Sequence, residues 1–122
     1  MQRGRFLKLV QRALTDIPEP FSNILDNVDI LVEKRPTKHH RESVGLQPGE
    51  TLFGLYEGVP QTERDSSYGM VLPDTITIFQ EPLEREFRDE SQLVAEVRVT
   101  VLHELAHHFG LSDAELERLG LD

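Results

Sequence analysis

Apolar residues recur at helical spacing at both ends of the chain and alternate with polar residues in its middle. The helical spacing predicts helices at 3–15, 20–27, 89–110 and 113–119. The alternation predicts strands at 28–33, 52–56 and 75–80, and a short hairpin arm at 68–72. Residues 35–50, rich in proline, glycine and charge, and the polar residues 59–67 are predicted loops. This mixture of helices and strands places the fold in the α+β class.

The longest predicted helix has recognisable ends. Asp89 can cap its first turn, with Gln92 three residues further on, and Gly110 is placed to end it in a left-handed conformation. Its apolar residues form a broad arc that we expect to face the core: Leu93, Val94, Val97, Val101, Leu105 and Phe109. After Gly110, Ser112 and Glu115 have the spacing of a capping box for the last short helix.

Length and charge narrow the function classes. A chain of 122 residues fits one domain, so we expect 1–122 to form a single domain. Thirteen Lys and Arg against 22 Asp and Glu give a net charge of −9, which disfavours binding to nucleic acid. The absence of cysteine excludes disulfides, thiol nucleophiles and Cys-ligated zinc. Because no apolar run approaches about 18 residues and the basic N-terminus lacks a continuous apolar stretch, we expect a cytoplasmic protein without a membrane partner.

The segment HELAHHFGLSD at 103–113 contains the candidate metal ligands and the candidate general base. His103 and His107 are four residues apart, so on a helix their imidazoles lie one turn apart and about 40° apart in azimuth. Two nitrogen ligands on one face can share a tetrahedral metal ion such as zinc, and Glu104 lies close enough to act on a water there. The spacing therefore predicts two ligands and a general base.

A tetrahedral catalytic site needs a third protein ligand. On a continuous helix Asp113 would lie about 9 Å beyond His107 and on another face, but a chain reversal at Gly110 would bring its carboxylate back to the metal. The alternative for Asp113 is an acid that favours the first turn of its helix through the helix dipole. For the two histidines the alternative is a pair of surface imidazoles.

Other polar residues are considered for supporting roles around the two imidazoles or for local packing. Glu96 and Thr100 lie on the same helix sector as the histidines and are candidates to hydrogen-bond the imidazoles. His108 lies about 100° from His107 and is expected to pack or hydrogen-bond locally. His39 and His40, in the predicted loop, are expected to be solvated.

The segment HELAHHFGLSD resembles the HExxHxxGxxD pattern of zincin metallopeptidases, in particular the minimal zincin-like family of small bacterial proteins. The residues at 52–60 (LFGLYEGVP) and 72–84 (LPDTITIFQEPLE) are also similar to that family. The resemblance implies a small mixed sheet, N-terminal helices and a long active-site helix. It also implies one zinc ion held by His103, His107 and Asp113, with Glu104 as general base. Asp113 in place of a third histidine, and no methionine after the motif, separate the chain from the metzincins.

The leading hypothesis is hydrolysis of peptide bonds in a peptide or protein substrate, with Glu104 activating the metal-bound water. Tyr56 or Tyr68 could stabilise the oxyanion, and the substrate could pair with the edge of strand 75–80 or strand 52–56. One alternative is a zinc-binding or partner-binding domain without turnover. A second is a metal-dependent endoribonuclease with a His-x-x-x-His-x-x-Gly-x-x-His pattern, which Glu104, Asp113 and the net charge disfavour.

Overall fold

The computed structural model describes residues 1–19, 21–58, 73–110 and 112–118, with only the backbone at residue 113. The predicted loop at 59–67, the predicted hairpin arm at 68–72 and Tyr68 lie outside the described residues. Along the chain the elements are α1 (Arg3–Ala13), α2 (Phe21–Leu25), β1 (Val28–Glu33), α3 (Lys38–Ser43), β2 (Gly54–Glu57), β3 (Asp74–Phe79), α4 (Gln80–Glu86), α5 (Glu90–His108) and α6 (Asp113–Arg118).

The described strands form one mixed sheet in the order β1-β3-β2. β1 is parallel to β3, with Val28 opposite Asp74 and Glu33 opposite Phe79. β2 is antiparallel to β3, with Gly54 opposite Ile78. A small mixed sheet combined with helices confirms the α+β class and the architecture that the resemblance implied.

The central strand β3 lies in the core. Its alternating β-branched residues suit a pleated surface, and Ile76, Thr77 and Ile78 are all buried. Because β3 pairs on both sides, it offers no edge to a substrate, and the expectation that 75–80 could be that edge is wrong. The strand also ends at Phe79, since Gln80 already belongs to α4.

Helix α5 packs against α1 and the sheet, as its apolar arc predicted. The buried residues of α5 are Leu93, Val97, Val101, Leu102, Leu105 and Ala106. Phe109 was expected in the core, but it is 49% exposed. Its N–H still bonds to the Leu105 carbonyl, but the chain from 107 to 110 is exposed throughout, so the end of α5 extends beyond the core. Asp89 occupies the N-cap position, yet its side chain makes no capping hydrogen bond, so that part of the prediction is wrong.

The predicted loop at 35–50 contains a short helix, α3. Thr37 begins it with a capping box: its hydroxyl accepts from the His40 N–H, and the His40 ring accepts from the Thr37 N–H. His40 is therefore not solvated, being 9% exposed with its ring 5.0 Å from that of Phe79. His39 is solvated as expected, with its side chain 74% exposed.

Candidate metal centre and active site

His103 and His107 lie one turn apart on α5 and face the same side of it. Their ring centroids are 6.5 Å apart and the ring planes differ by 23°. His103 is half-buried and His107 is exposed. Within the described part of the chain, neither imidazole forms a hydrogen bond or an ion pair through its nitrogens. Both rings are thus available as ligands on one face.

The two histidines open on a cavity of about 220 Å³ between α5 and the segment that leads into β2. It is lined by Leu52, Phe53, Gly54, Thr100, His103, Glu104 and His107. The structure therefore brings the HExxH side chains to one cavity, which we call the histidine cavity.

Glu104 is held by the backbone of the neighbouring edge strand. The Tyr56 N–H donates to Glu104 Oε1 at 2.8 Å. The Phe79 N–H donates to the Phe53 carbonyl, so Phe53 and every second residue after it direct their backbone N–H and carbonyl groups towards β3. Tyr56 lies at an alternate position, and its N–H and carbonyl point away from β3. The bond to Glu104 thus uses an N–H that β3 leaves unpaired, and it leaves Oε2 of the carboxylate free to act in the cavity.

Gly54 allows β2 to approach α5 closely. A Cβ at Gly54 would lie 2.6 Å from Thr100 Cγ2 and 3.2 Å from the Thr77 carbonyl oxygen. Any side chain at this position would push the strand away from the helix. The short distance between Tyr56 and Glu104 therefore depends on the absence of a side chain two residues earlier.

Tyr56 and His108 form a cluster at the other end of β2. The two rings stack with centroids 4.0 Å apart, and the Tyr56 hydroxyl donates to Asp74 Oδ2 at 2.6 Å. His108 Nε2 lies 3.9 Å from the same carboxylate oxygen. This is the local packing expected of His108, while the bond to Asp74 turns the Tyr56 hydroxyl away from the oxyanion role considered for it.

The expected hydrogen bonds from Glu96 and Thr100 to the imidazoles are not formed. The Thr100 hydroxyl donates to the Glu96 carbonyl at 2.8 Å, one turn back along the same helix. Thr100 lines the histidine cavity through its side chain without bonding either ring.

Gly110 follows the end of α5 in the left-handed conformation that its position predicted. Gly110 has a φ of +76°, and α6 starts three residues later. The Ser112 hydroxyl accepts from the Glu115 N–H at 3.2 Å, which is the first half of the predicted capping box. The side chain of Asp113 lies outside the described residues, so its role as third ligand stays a prediction.

Zinc fits the donors that are described. Imidazole nitrogens are ordinary zinc ligands, and two unpartnered rings one turn apart on the wall of a cavity match its needs. Among the described side chains, no group of three His, Asp or Glu residues is placed to hold a metal ion.

Comparisons with known proteins show the family of the chain. The family model of zincin-like metallopeptidases matches residues 25–121, and the chain therefore belongs to that family. A solved structure, a conserved hypothetical protein from Thermus thermophilus, is similar with a TM-score of 0.56 and 26% sequence identity, over 89% of this chain and 94% of that one. No curated protein matches. None of the described helices has the length and apolar character needed to cross a membrane.

Proposed function

We propose that this zincin-like protein is a zinc peptidase of one domain, in which His103, His107 and Asp113 hold the metal and Glu104 is the general base. The observation that carries the proposal is the anchored carboxylate: Glu104 is fixed by the Tyr56 N–H in the cavity that both histidines face. This bond is partly buried and joins residues 48 positions apart in the chain, so the tertiary fold fixes the Glu104 carboxylate.

Bound zinc lowers the pKa of water towards about 7 and polarises a carbonyl oxygen. The protein's part is to move the proton. Glu104 Oε1 stays on the Tyr56 N–H, while Oε2 accepts the proton of the attacking water and then delivers it to the leaving amine nitrogen. The anchored oxygen keeps the second one directed at the reacting atoms, which is the geometric requirement of such catalysis.

The edge of β2 offers a place for the substrate backbone. Gly54 has the same orientation as Tyr56, so its N–H and carbonyl turn away from β3 towards the histidine cavity. An extended peptide can add to such an edge as a further strand. Peptides and proteins are therefore the proposed substrates, and the active site is expected to work in the cytoplasm without a membrane or nucleic-acid partner.

The first experiment measures zinc per chain by mass spectrometry. We expect about one zinc in the wild type and a loss of most of it in His103→Ala, His107→Ala and Asp113→Ala. His39→Ala is the matched control, because His39 is exposed and lies outside the cavity. A wild type that holds no zinc after the metal is supplied, or an Asp113→Ala variant with full zinc, would contradict the ligand set.

The second experiment separates a peptidase from a zinc-binding domain without turnover. The wild type and Glu104→Gln are incubated with a peptide library, and new termini are detected by mass spectrometry. We expect cleavage to fall by about 10²–10⁴-fold in Glu104→Gln while zinc content stays unchanged. A wild type with zinc but no cleavage favours the non-catalytic alternative, and cleavage of labelled RNA that His103→Ala abolishes favours the endoribonuclease.

A further inference from the structure

A second cavity adjoins the histidine cavity at Leu52. It has a volume of about 210 Å³, and Leu52 lines both cavities. Three arginines line the second one: Arg35 after β1, Arg41 on α3 and Arg85 on α4. We call this space the arginine cavity.

The charge of the arginine cavity is opposite to that of the chain. The protein has a net charge of −9, yet this cavity has three guanidinium groups against the two carboxylates of Glu50 and Glu81. Glu81 is already paired, lying 3.4 Å from Arg35 and 3.9 Å from Lys34. Glu50 Oε1 accepts the Gln47 N–H at 2.7 Å.

Two of the arginines are free to bind a ligand. In the described part of the chain, the side chains of Arg41 and Arg85 form no ion pair and no hydrogen bond. Helix α3, fixed by its Thr37 cap, holds Arg41 at the cavity, and Arg85 is presented by the last turn of α4. Guanidinium groups bind carboxylates through paired hydrogen bonds, which a lysine cannot reproduce.

We propose that the arginine cavity binds a carboxylate of the peptide substrate, so that the protein selects acidic peptides. The carboxylate is either an Asp or Glu side chain or the C-terminus of the peptide, since both present the same group. The proposal rests on the proposed peptidase function, because the ligand is the substrate of that site.

The hydrogen bond to Glu104 indicates which part of the β2 edge is available to the peptide. Because the Tyr56 N–H is occupied, a peptide pairing with the edge of β2 has the Gly54 side of the strand available, and Leu52 lies on that side. Two residues of strand span about 7 Å. We therefore expect the selected carboxylate about two to four residues from the bond that is cleaved.

The test is peptide binding to the zinc-loaded Glu104→Gln protein, measured by fluorescence anisotropy. Peptides differ by Glu or Gln at one position at a time, on both sides of the peptide centre, and each is made with a free and with an amidated C-terminus. At one position, or at the free C-terminus, we expect the carboxylate to tighten binding by about three- to tenfold. Low salt enlarges this difference.

Variants assign the preference to the cavity. In the Glu104→Gln background, Arg41→Gln and Arg85→Gln should each reduce the difference between the Glu and Gln peptides, and Arg85→Glu should reverse it in favour of a Lys peptide. Arg12→Gln removes the same charge from α1, where Arg12 is exposed and does not line the arginine cavity, and should preserve the difference.

The outcomes separate this inference from the proposed function. Cleavage of peptides by the wild type, without any carboxylate preference, overturns the arginine cavity and leaves the peptidase intact. A preference that depends on Arg41 and Arg85 in a protein that cleaves nothing supports the cavity and overturns the peptidase. Equal binding of all peptides, or no binding of any, overturns the inference, and so does a preference that survives both arginine variants.

Discussion

Each outer strand of the sheet binds one side chain from a helix, and the two side chains differ in their chemistry. At β1, Arg3 at the start of α1 donates from Nη1 to the Val32 carbonyl at 2.8 Å. At β2, the Tyr56 N–H donates to Glu104 Oε1 at the same distance, 2.8 Å. An arginine bound to a carbonyl protects an edge strand and offers no chemistry beside it. A carboxylate bound to an N–H protects the edge with a group that can also transfer a proton.

The difference separates the two edges by the chemistry beside them: a guanidinium group at β1 and a carboxylate at β2. Leu31 on β1 is exposed, and the cavity of about 500 Å³ that Arg3 lines contains no histidine: its lining residues are Met1, Arg3, Lys34, Gln80, Glu81 and Glu84. β2 instead lies close to α5, and Gly54 on its edge lines the histidine cavity. The two edges are therefore expected to respond differently to substitution.

The largest effect is expected where the edge strand holds the carboxylate. Tyr56→Pro removes the N–H that anchors Glu104, and Tyr56→Ala removes the ring but keeps the N–H. We expect kcat/KM for peptide cleavage to be about 10²-fold lower in Tyr56→Pro than in Tyr56→Ala, since a displacement of about 1 Å costs that much. Because the N–H faces away from β3, proline is tolerated in the ladder.

Zinc content is the control for this comparison, and it should be equal in the two Tyr56 variants because neither changes His103, His107 or Asp113, the proposed ligands. Equal rates in the two variants would show that Glu104 does not depend on the edge strand.

Much of this architecture follows from the residue pattern. The periodicity of apolar residues predicted α1, β1 and α5, and the spacing of His103 and His107 predicted that they share one face. These features depend on residues close together in sequence, where period and spacing are directly visible.

The missed features depend on contacts between distant residues or on unusual local signals. Residues 35–50 were predicted as a loop from their proline, glycine and charge content. The capping box of α3 gave no warning, because His40 stands where Glu or Gln is usual. The group that anchors Glu104 is a backbone N–H. Because every residue except proline has one, the amino-acid sequence does not indicate which residue donates it. The arginine cavity joins residues 35, 41 and 85, which only the fold brings together.

A smaller effect is expected where β2 approaches α5. Gly54→Ala places a Cβ against Thr100 and should reduce the free energy of unfolding by about 1–3 kcal/mol, measured by chemical denaturation. Thr100→Ser removes the clashing methyl group and keeps the hydroxyl that bonds to Glu96. The double variant should therefore recover most of the loss.

Gly4→Ala is the matched control for Gly54→Ala. Gly4 lies in α1 with no atom within 4 Å of the position of an added Cβ, so this change should not destabilise the protein. If Gly54→Ala lowered the free energy of unfolding no more than Gly4→Ala does, or if adding Thr100→Ser restored none of the lost stability, the contact between residue 54 and Thr100 would not be what excludes a side chain from this position.

The smallest effect is expected at the edge of β1. Arg3→Ala removes the donor to the Val32 carbonyl and should reduce the free energy of unfolding by about 0.5–1.5 kcal/mol, with no change in zinc content or peptide cleavage. Arg5→Ala is the control, because Arg5 also lies on α1 but forms an exposed ion pair with Glu90 at 3.2 Å, and such pairs contribute little to stability. Loss of cleavage in Arg3→Ala comparable to that in Tyr56→Pro would show that both edges serve the active site, whereas a change in stability alone assigns catalysis to the edge that binds Glu104.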